Sequence, residues 1–357
     1  MPLRTWQTTL CSFVIAGALV GAAGSATVTP ALAQGPSAPA DFTAIARERM
    51  PAVIAITARQ RVRERETAPA LPEDLPFREF FRRYFEERMD PREALGAGFV
   101  ISPGGHVVTN DHVMGNAEEV QVVFGTSTRG PVRLVGRDPA TDLAVLKVDP
   151  PPRMMVTAWG DSDAAEPGSW AIAIGSPFGL GGTVRVGVIS AQSRDIRSGP
   201  YDDYLQTDAL INRGNSGGPL FNARGEVIGV DTAIFSPIGG NVGIGFAVPS
   251  RVTRSVTDQL IRTGWVERGH IGVSLQELTP ANAQALGRPN EMGVLVAAVE
   301  PGGPAARAGL RVGDIVTAFS GNPVESGRHL SRAVAAAKPG TEARITVFGD
   351  GRTKELA

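Results

Sequence analysis

Short runs rich in Val, Ile and Leu, each cut off by Gly, Pro, Asn or Asp, recur along most of this chain. That punctuation predicts antiparallel β structure of the barrel kind rather than long amphipathic helices. Strands are expected at 52–57, on either side of a Gly104-Gly105 turn within 96–108, at 143–148, and in the runs 205–211 and 220–230. Helical spacing is rarer. Residues 42–49 read as a short helix, and 251–264 as a longer one stopped by Gly264. Within 59–93 an insertion opens on a charge run, then sets Phe77, Phe80, Phe81, Tyr84 and Phe85 at i, i+3, i+4, i+7 and i+8. That places five aromatics on one helical face, with Arg78, Glu79, Arg82, Arg83, Glu86 and Glu87 opposite.

Between the runs 205–211 and 220–230 lies Ile211-Asn-Arg-Gly-Asn-Ser216-Gly-Gly-Pro219. Alone it reads equally as an ordinary turn of Gly, Asn and Ser. It also has what a serine nucleophile needs, because glycines let the backbone bend beside a reacting carbonyl. The N–H groups of Gly214 and Ser216 can then aim at one developing oxyanion. A serine hydroxyl requires a base, usually an imidazole steadied by a carboxylate. Of four histidines, His112 follows a strand and a polar break at Thr109-Asn-Asp, which displays it, whereas His106 falls at the hairpin turn. Asp138 and Asp142 are the candidate carboxylates. Asp138 precedes Pro139 and suits a turn, while Asp142 stands directly before the apolar strand 143–148. The order His112, Asp142, Ser216 is that of two-barrel serine proteases, not of subtilisins or α/β-hydrolases.

Composition narrows the choices. The 35 basic and 36 acidic residues nearly cancel, so nothing points to nucleic acid or an anionic membrane. Cys11 is the only cysteine, which excludes disulfide, iron–sulfur and cysteine–zinc frameworks. No metal or organic cofactor is called for. Residues 1–33 carry Arg4, an apolar run over 10–23 and Ala31-Leu-Ala33, the layout of a cleavable secretory signal peptide. The alternative is an uncleaved membrane anchor, for which the run is short of the roughly 20 residues a span needs. A Pro/Ala-rich spacer, 34–41, follows.

Taken together, Thr109-Asn-Asp-His112-Val, Thr141-Asp142-Leu-Ala-Val-Leu-Lys147, Ile174-Gly-Ser-Pro-Phe-Gly-Leu180, Thr207-Asp-Ala-Leu-Ile-Asn-Arg-Gly-Asn-Ser216 and Gly239-Gly-Asn-Val-Gly-Ile-Gly-Phe-Ala-Val-Pro249 resemble blocks of the HtrA (Deg) family of trypsin-like serine proteases. The likeness runs from about residue 42 to the end of the chain. It implies a mainly β protein, with a two-barrel chymotrypsin-like domain over 42–250, a linker helix over 251–265 and one PDZ domain over 266–357. The last strand pair stops early, as a truncated domain would. By resemblance Ser216 is the nucleophile, His112 the general base and acid, and Asp142 its orienting partner. Gly214, Asn215 and Ser216 supply the backbone of the oxyanion hole. Asp111, Leu210 and Asp231 depart from the family's commoner residues, and Asp111 would favour a charged His112 ring if its carboxylate turned inward.

Leu210, Ile211, Thr232, Ala233 and Ile234 are expected to wall the specificity pocket, which suits a small aliphatic P1 side chain. Asp231 is read as peripheral, on the opposite strand face from Thr232. In the PDZ domain, Gly269, His270, Ile271 and Gly272 match the loop that takes a peptide carboxylate while the peptide adds to a sheet edge. The resemblance further implies a homotrimer, with Phe42 among its contacts. It also implies a regulatory role for 59–93 and activation loops at 175–182, 194–204 and 236–241. The expected function is a periplasmic serine endopeptidase that degrades misfolded envelope proteins. The alternative is a chaperone-like or scaffold protein with a latent protease site.

Overall fold

The computed structural model describes residues 41–60, 93–125, 128–130, 132–149, 151–152, 154–175, 182–212, 214–236, 241–287 and 292–357. The segment 1–33 expected as a signal peptide, the aromatic stripe 77–85 and the middles of the loops 175–182 and 236–241 lie outside these residues.

Helix α1 (Thr43–Arg49) leads through a 3-10 turn into β1 (Val53–Gln60). The next strands are β2 (Glu93–Val100), β3 (His106–Thr109), β4 (Ala117–Phe124), β5 (Thr128–Gly130), β6 (Val132–Asp138) and β7 (Leu143–Val148). They form one antiparallel sheet in the order β5-β4-β1-β2-β3-β7-β6. A single-turn helix, α2 (Asp111–Met114), follows β3. Alternation along these strands turns Ile54, Ile56, Val100, Val107, Val122, Ala144 and Leu146 to one core, to which α2 adds Val113 and Met114.

The second sheet is a closed barrel. It comprises β8 (Trp170–Gly175), β9 (Thr183–Arg194), β10 (Tyr204–Thr207), β11 (Pro219–Phe221), β12 (Val227–Ile234) and β13 (Gly245–Pro249). Its core holds small residues such as Ala171, Ala173, Ala209 and Ala247 beside Ile189, Leu205, Leu220 and Ile228. Phe42 stands edge-on to Trp170 at 5.1 Å, within its own chain.

Helix α3 (Ser250–Thr263) ends where Gly264 adopts φ +85, the left-handed stop that the sequence predicts. This helix packs on β6, β7 and β12, burying Val256 and Leu260. Gly136 of β6 lies directly beneath the Gly264 carbonyl, where any Cβ would collide. The helix expected as a linker thus packs as a wall against both the first sheet and the barrel.

The remaining residues build the third sheet: β14 (Val273–Glu277), β15 (Val294–Val299), β16 (Ile315–Phe319), β17 (Asn322–Pro323), β18 (Ile345–Gly349) and β19 (Arg352–Leu356). Its order is β14-β15-β16-β18-β19, with β17 paired to β16, so β14 is an edge strand. Helices α4 (Pro280–Ala285), α5 (Pro304–Arg307) and α6 (Gly327–Ala336) complete the domain. Ser326 caps α6 by accepting from the His329 N–H at 3.2 Å.

Candidate active site

His112 sits on α2, and Asp142 ends the turn between β6 and β7. The Asp142 carboxylate accepts the His112 backbone N–H at 2.8 Å and faces His112 Nδ1 at 2.7 Å. With Nδ1–H donating to the carboxylate, Nε2 is left as a proton acceptor. Asp142 adopts φ +55, a left-handed conformation uncommon for a residue with a Cβ. Three bonds hold it there. Its carbonyl accepts from Asn110 Nδ2 at 2.8 Å and from the Asp111 N–H at 3.1 Å, while its own N–H reaches the Pro139 carbonyl at 3.4 Å. Asn110, fully buried, also donates to the Thr232 hydroxyl at 2.9 Å, which ties the first sheet to the second barrel.

The Ser216 turn docks on the first sheet. The Ser216 carbonyl accepts the Ala97 N–H at 2.8 Å, and the Gly217 N–H donates to Asp231 O at 2.7 Å. Gly217 has φ +85, and a Cβ there would run into the Ala97 carbonyl and the Thr109 hydroxyl. Gly96 is under the same constraint, since its Cβ would meet Val113 at 2.6 Å and the Ser216 carbonyl at 3.1 Å. Glycine at 96 and 217 lets β2, α2 and the Ser216 turn close on one another. Ser216 Oγ has no hydrogen-bond partner among the described residues, and such contacts commonly tighten only around substrate.

The oxyanion segment needs one correction. The Asn215 N–H is committed to the Asn212 carbonyl at 2.9 Å, so it has no free donor to offer. Gly214 and Ser216 donate to no backbone acceptor among the described residues.

Two further expectations change. Thr232 turns its hydroxyl to Asn110 and donates to the Val230 carbonyl at 3.0 Å, so it supports Asp142 rather than lining a pocket. Asp231 does lie on the opposite face, but that face is the barrel interior. It pairs with Ala247, is 0% exposed, and neither carboxylate oxygen has a partner. Burial raises its carboxyl well above the ordinary range. Leu210 is exposed and Ile211 buried, with Ala233 and Ile234 half-buried at the end of β12.

Asp111 does not turn toward the imidazole: its carboxylate is held by Arg137 Nε. His106 stays in its hairpin, its Nδ1 2.8 Å from Ser102 Oγ. Burial, then Lys147 and Arg133, hold its imidazole below the usual value. Tyr204 lies near enough to Asp142 to feel its charge. Burial is the main cause that raises its phenol, Asp202 and Asp142 add to it, and a 2.9 Å contact with Ser198 opposes.

Asp138 is neither exposed nor catalytic in placement. Arg268, directly before the 269–272 loop, donates Nη1 to Asp138 Oδ1 at 2.8 Å and Nη2 to Oδ2 at 2.5 Å. The same guanidinium lies 4.8 Å from the centre of the Tyr201 ring. Arg332 of α6 donates to the Asp202 carbonyl at 2.9 Å and forms an ion pair with the Asp203 carboxylate at 2.8 Å. Gly269, His270, Ile271 and Gly272, with Val273, Leu275, Leu330, Ser331 and Val334, line a cleft between β14 and α6, to which Pro200 and Tyr201 also contribute. The Ile271 and Gly272 N–H groups meet no backbone acceptor among the described residues, while His270 Nε2 pairs with Glu300 at 3.1 Å.

Residues 96–230 match the trypsin-like peptidase domain, and 269–357 match the PDZ domain. A protein of Rhizobium meliloti named a probable periplasmic serine endoprotease, DegP-like, is 43% identical over 352 residues, covering 90% of this chain and 70% of its own. One of the same name from Ectopseudomonas mendocina is 42% identical over 329 residues, covering 88% and 69%. Among solved structures, the HtrA-type protease AlgW with a tripeptide superposes with a TM-score of 0.74 at 35% identity, covering 88% of this chain and 95% of that one. The serine endoprotease from Yersinia pestis gives 0.62 at 32% identity, covering 89% and 96%. The chain belongs to the HtrA family of DegP-like serine endopeptidases.

Proposed function

We propose that this endopeptidase cleaves unfolded envelope polypeptides through an acyl-enzyme at Ser216. The observation that carries the reading is the Asp142 carboxylate, which engages both the backbone and the ring of His112 at 2.8 and 2.7 Å. His112 Nε2 takes the Ser216 proton as Oγ attacks the scissile carbonyl, then gives it to the leaving amine. Water, deprotonated by the same nitrogen, releases the acyl group. The Gly214 and Ser216 N–H groups stabilise the oxyanion. Leu210, Ile211, Ala233 and Ile234 accept a small aliphatic P1 side chain.

The domains divide at 42–250, 251–265 and 266–357, with α3 fastened to the protease unit. The 269–272 loop takes the carboxylate of a C-terminal peptide, which extends the third sheet along β14, a mode supported by the free donors and the open edge. Trimeric assembly and export to the periplasm behind a leader removed after Ala33 complete the reading. The names of the relatives support the compartment. No helix among the described residues is long and apolar enough to cross a membrane.

Cleavage of casein by residues 34–357 tests the chemistry. Ser216→Ala and His112→Ala are each expected to lower turnover by at least about 10³-fold. Cleavage that survives Ser216→Ala would refute the acyl-enzyme.

A further inference from the structure

We propose that Arg137 is a positioning residue for His112, fixing the one-turn helix that presents the imidazole; the inference rests on His112 being the base. Helix α2 spans four residues, too few to be stable alone, and its N-cap Asn110 makes no side-chain capping bond. Val113 and Met114 bury its inner face. At its outer side, one guanidinium grips both ends. Arg137 Nε donates to the Asp111 carboxylate, Nη2 reaches the Asp111 carbonyl at 3.4 Å, and Nη1 donates to the Gly115 carbonyl at 2.7 Å. Gly115 closes the helix at φ 45, ψ −129, so its carbonyl points out of the helical register and needs a donor from outside.

The anchor for this clamp is the element that also leads to Asp142. Arg137 lies on β6 opposite Ala144 of β7, and the turn 139–142 connects the two strands. Arg137 therefore sets the spacing between α2 and the Asp142 turn, independently of the carboxylate–imidazole contact itself. It also neutralises Asp111, the acidic residue adjacent to His112; the two side chains are 32% and 13% exposed. A planar fork with donors at three corners can meet a carboxylate and two carbonyls at once, which a lysine ammonium on a flexible stem cannot do in the same geometry.

The test uses the full chain with Arg137→Ala, Arg137→Lys and Asp111→Asn, plus His112→Ala. Ser216 labelling by a fluorophosphonate reads the reactivity of the pair without substrate binding. Turnover of fluorescent casein separates kcat from KM, and thermal unfolding monitors the fold. Arg137→Ala is expected to lower labelling rate and kcat about tenfold or more, as small misplacements of a catalytic group do, with KM within about twofold. Arg137→Lys should fall between, because it keeps the charge but not the fork. Asp111→Asn, which keeps an acceptor for Nε, should retain most activity. Labelling of Arg137→Ala at the wild-type rate would overturn the inference. So would equal losses in all three variants that follow their melting temperatures, because the pair would then serve packing alone. Labelling that survives His112→Ala would remove the base itself, and the clamp with it, an outcome distinct from an unaffected Arg137→Ala enzyme.

Discussion

Replacing Asp231 with valine should stabilise the protease domain, and the gain should grow with pH. Both carboxylate oxygens are buried without partners, in a row with Ala247 and Leu205 across β12, β13 and β10. Burial raises the carboxyl well above its ordinary range. The unfolded chain releases this proton above about pH 4, while the folded protein retains it. Stability therefore falls as pH rises from about 4, and levels off only once the buried group itself ionises. Asp231→Val removes the unsatisfied atoms, worth about 1–3 kcal/mol even at acidic pH, and keeps a side chain suited to a strand. It also removes the linkage, worth at most about 1.4 kcal/mol for each pH unit above 4. Calorimetry of the full chain at pH 4.5, 6.0 and 7.5 reads both effects, at about 2–4 °C per kcal/mol for a domain of this size. The gain should therefore be larger at pH 7.5 than at pH 4.5. A gain independent of pH, or a variant less stable than wild type at pH 7.5, would refute the reasoning, because Asp231 would then have to be charged and partnered.

Gly217→Ala forces a Cβ into the Ala97 carbonyl and Thr109 hydroxyl at φ +85, so Ser216 labelling should fall at least about tenfold even in soluble, folded protein. Arg268→Ala strands Asp138, whose side chain is 6% exposed, and breaking a buried pair costs about 3–5 kcal/mol. Limited proteolysis near residues 264–268 should accelerate, and Arg268→Lys should rescue only part of the protection. Gly272→Val, at φ +75 beside Glu300, should abolish binding of C-terminal peptides measured by fluorescence anisotropy, with labelling of Ser216 unchanged.

Several strands, the α3 stop at Gly264 and the candidates His112, Asp142 and Ser216 could be picked out from local pattern, although the runs 205–211 and 220–230 are only partly strand. Apolar runs, turn residues and a Gly-rich nucleophile segment are properties of neighbours in the chain, and the physics that shapes them acts over a few residues. The glycines of the Ser216 turn were legible too, but the close approach of Gly217 to Ala97 and Thr109 was not. Tertiary structure alone decided which polar side chains are shared. Asn110 meets Thr232 across 122 residues, Arg268 meets Asp138 across 130, and Arg137 reaches back 26 to Asp111. The same holds for burial. Strand alternation placed Asp231 and Thr232 on opposite faces, but only the closed barrel shows that the Asp231 face is the dry interior and the Thr232 face supports Asp142. A hydrogen-bond partner and a solvent-free environment exist only once distant segments pack, so no local pattern can encode them in readable form.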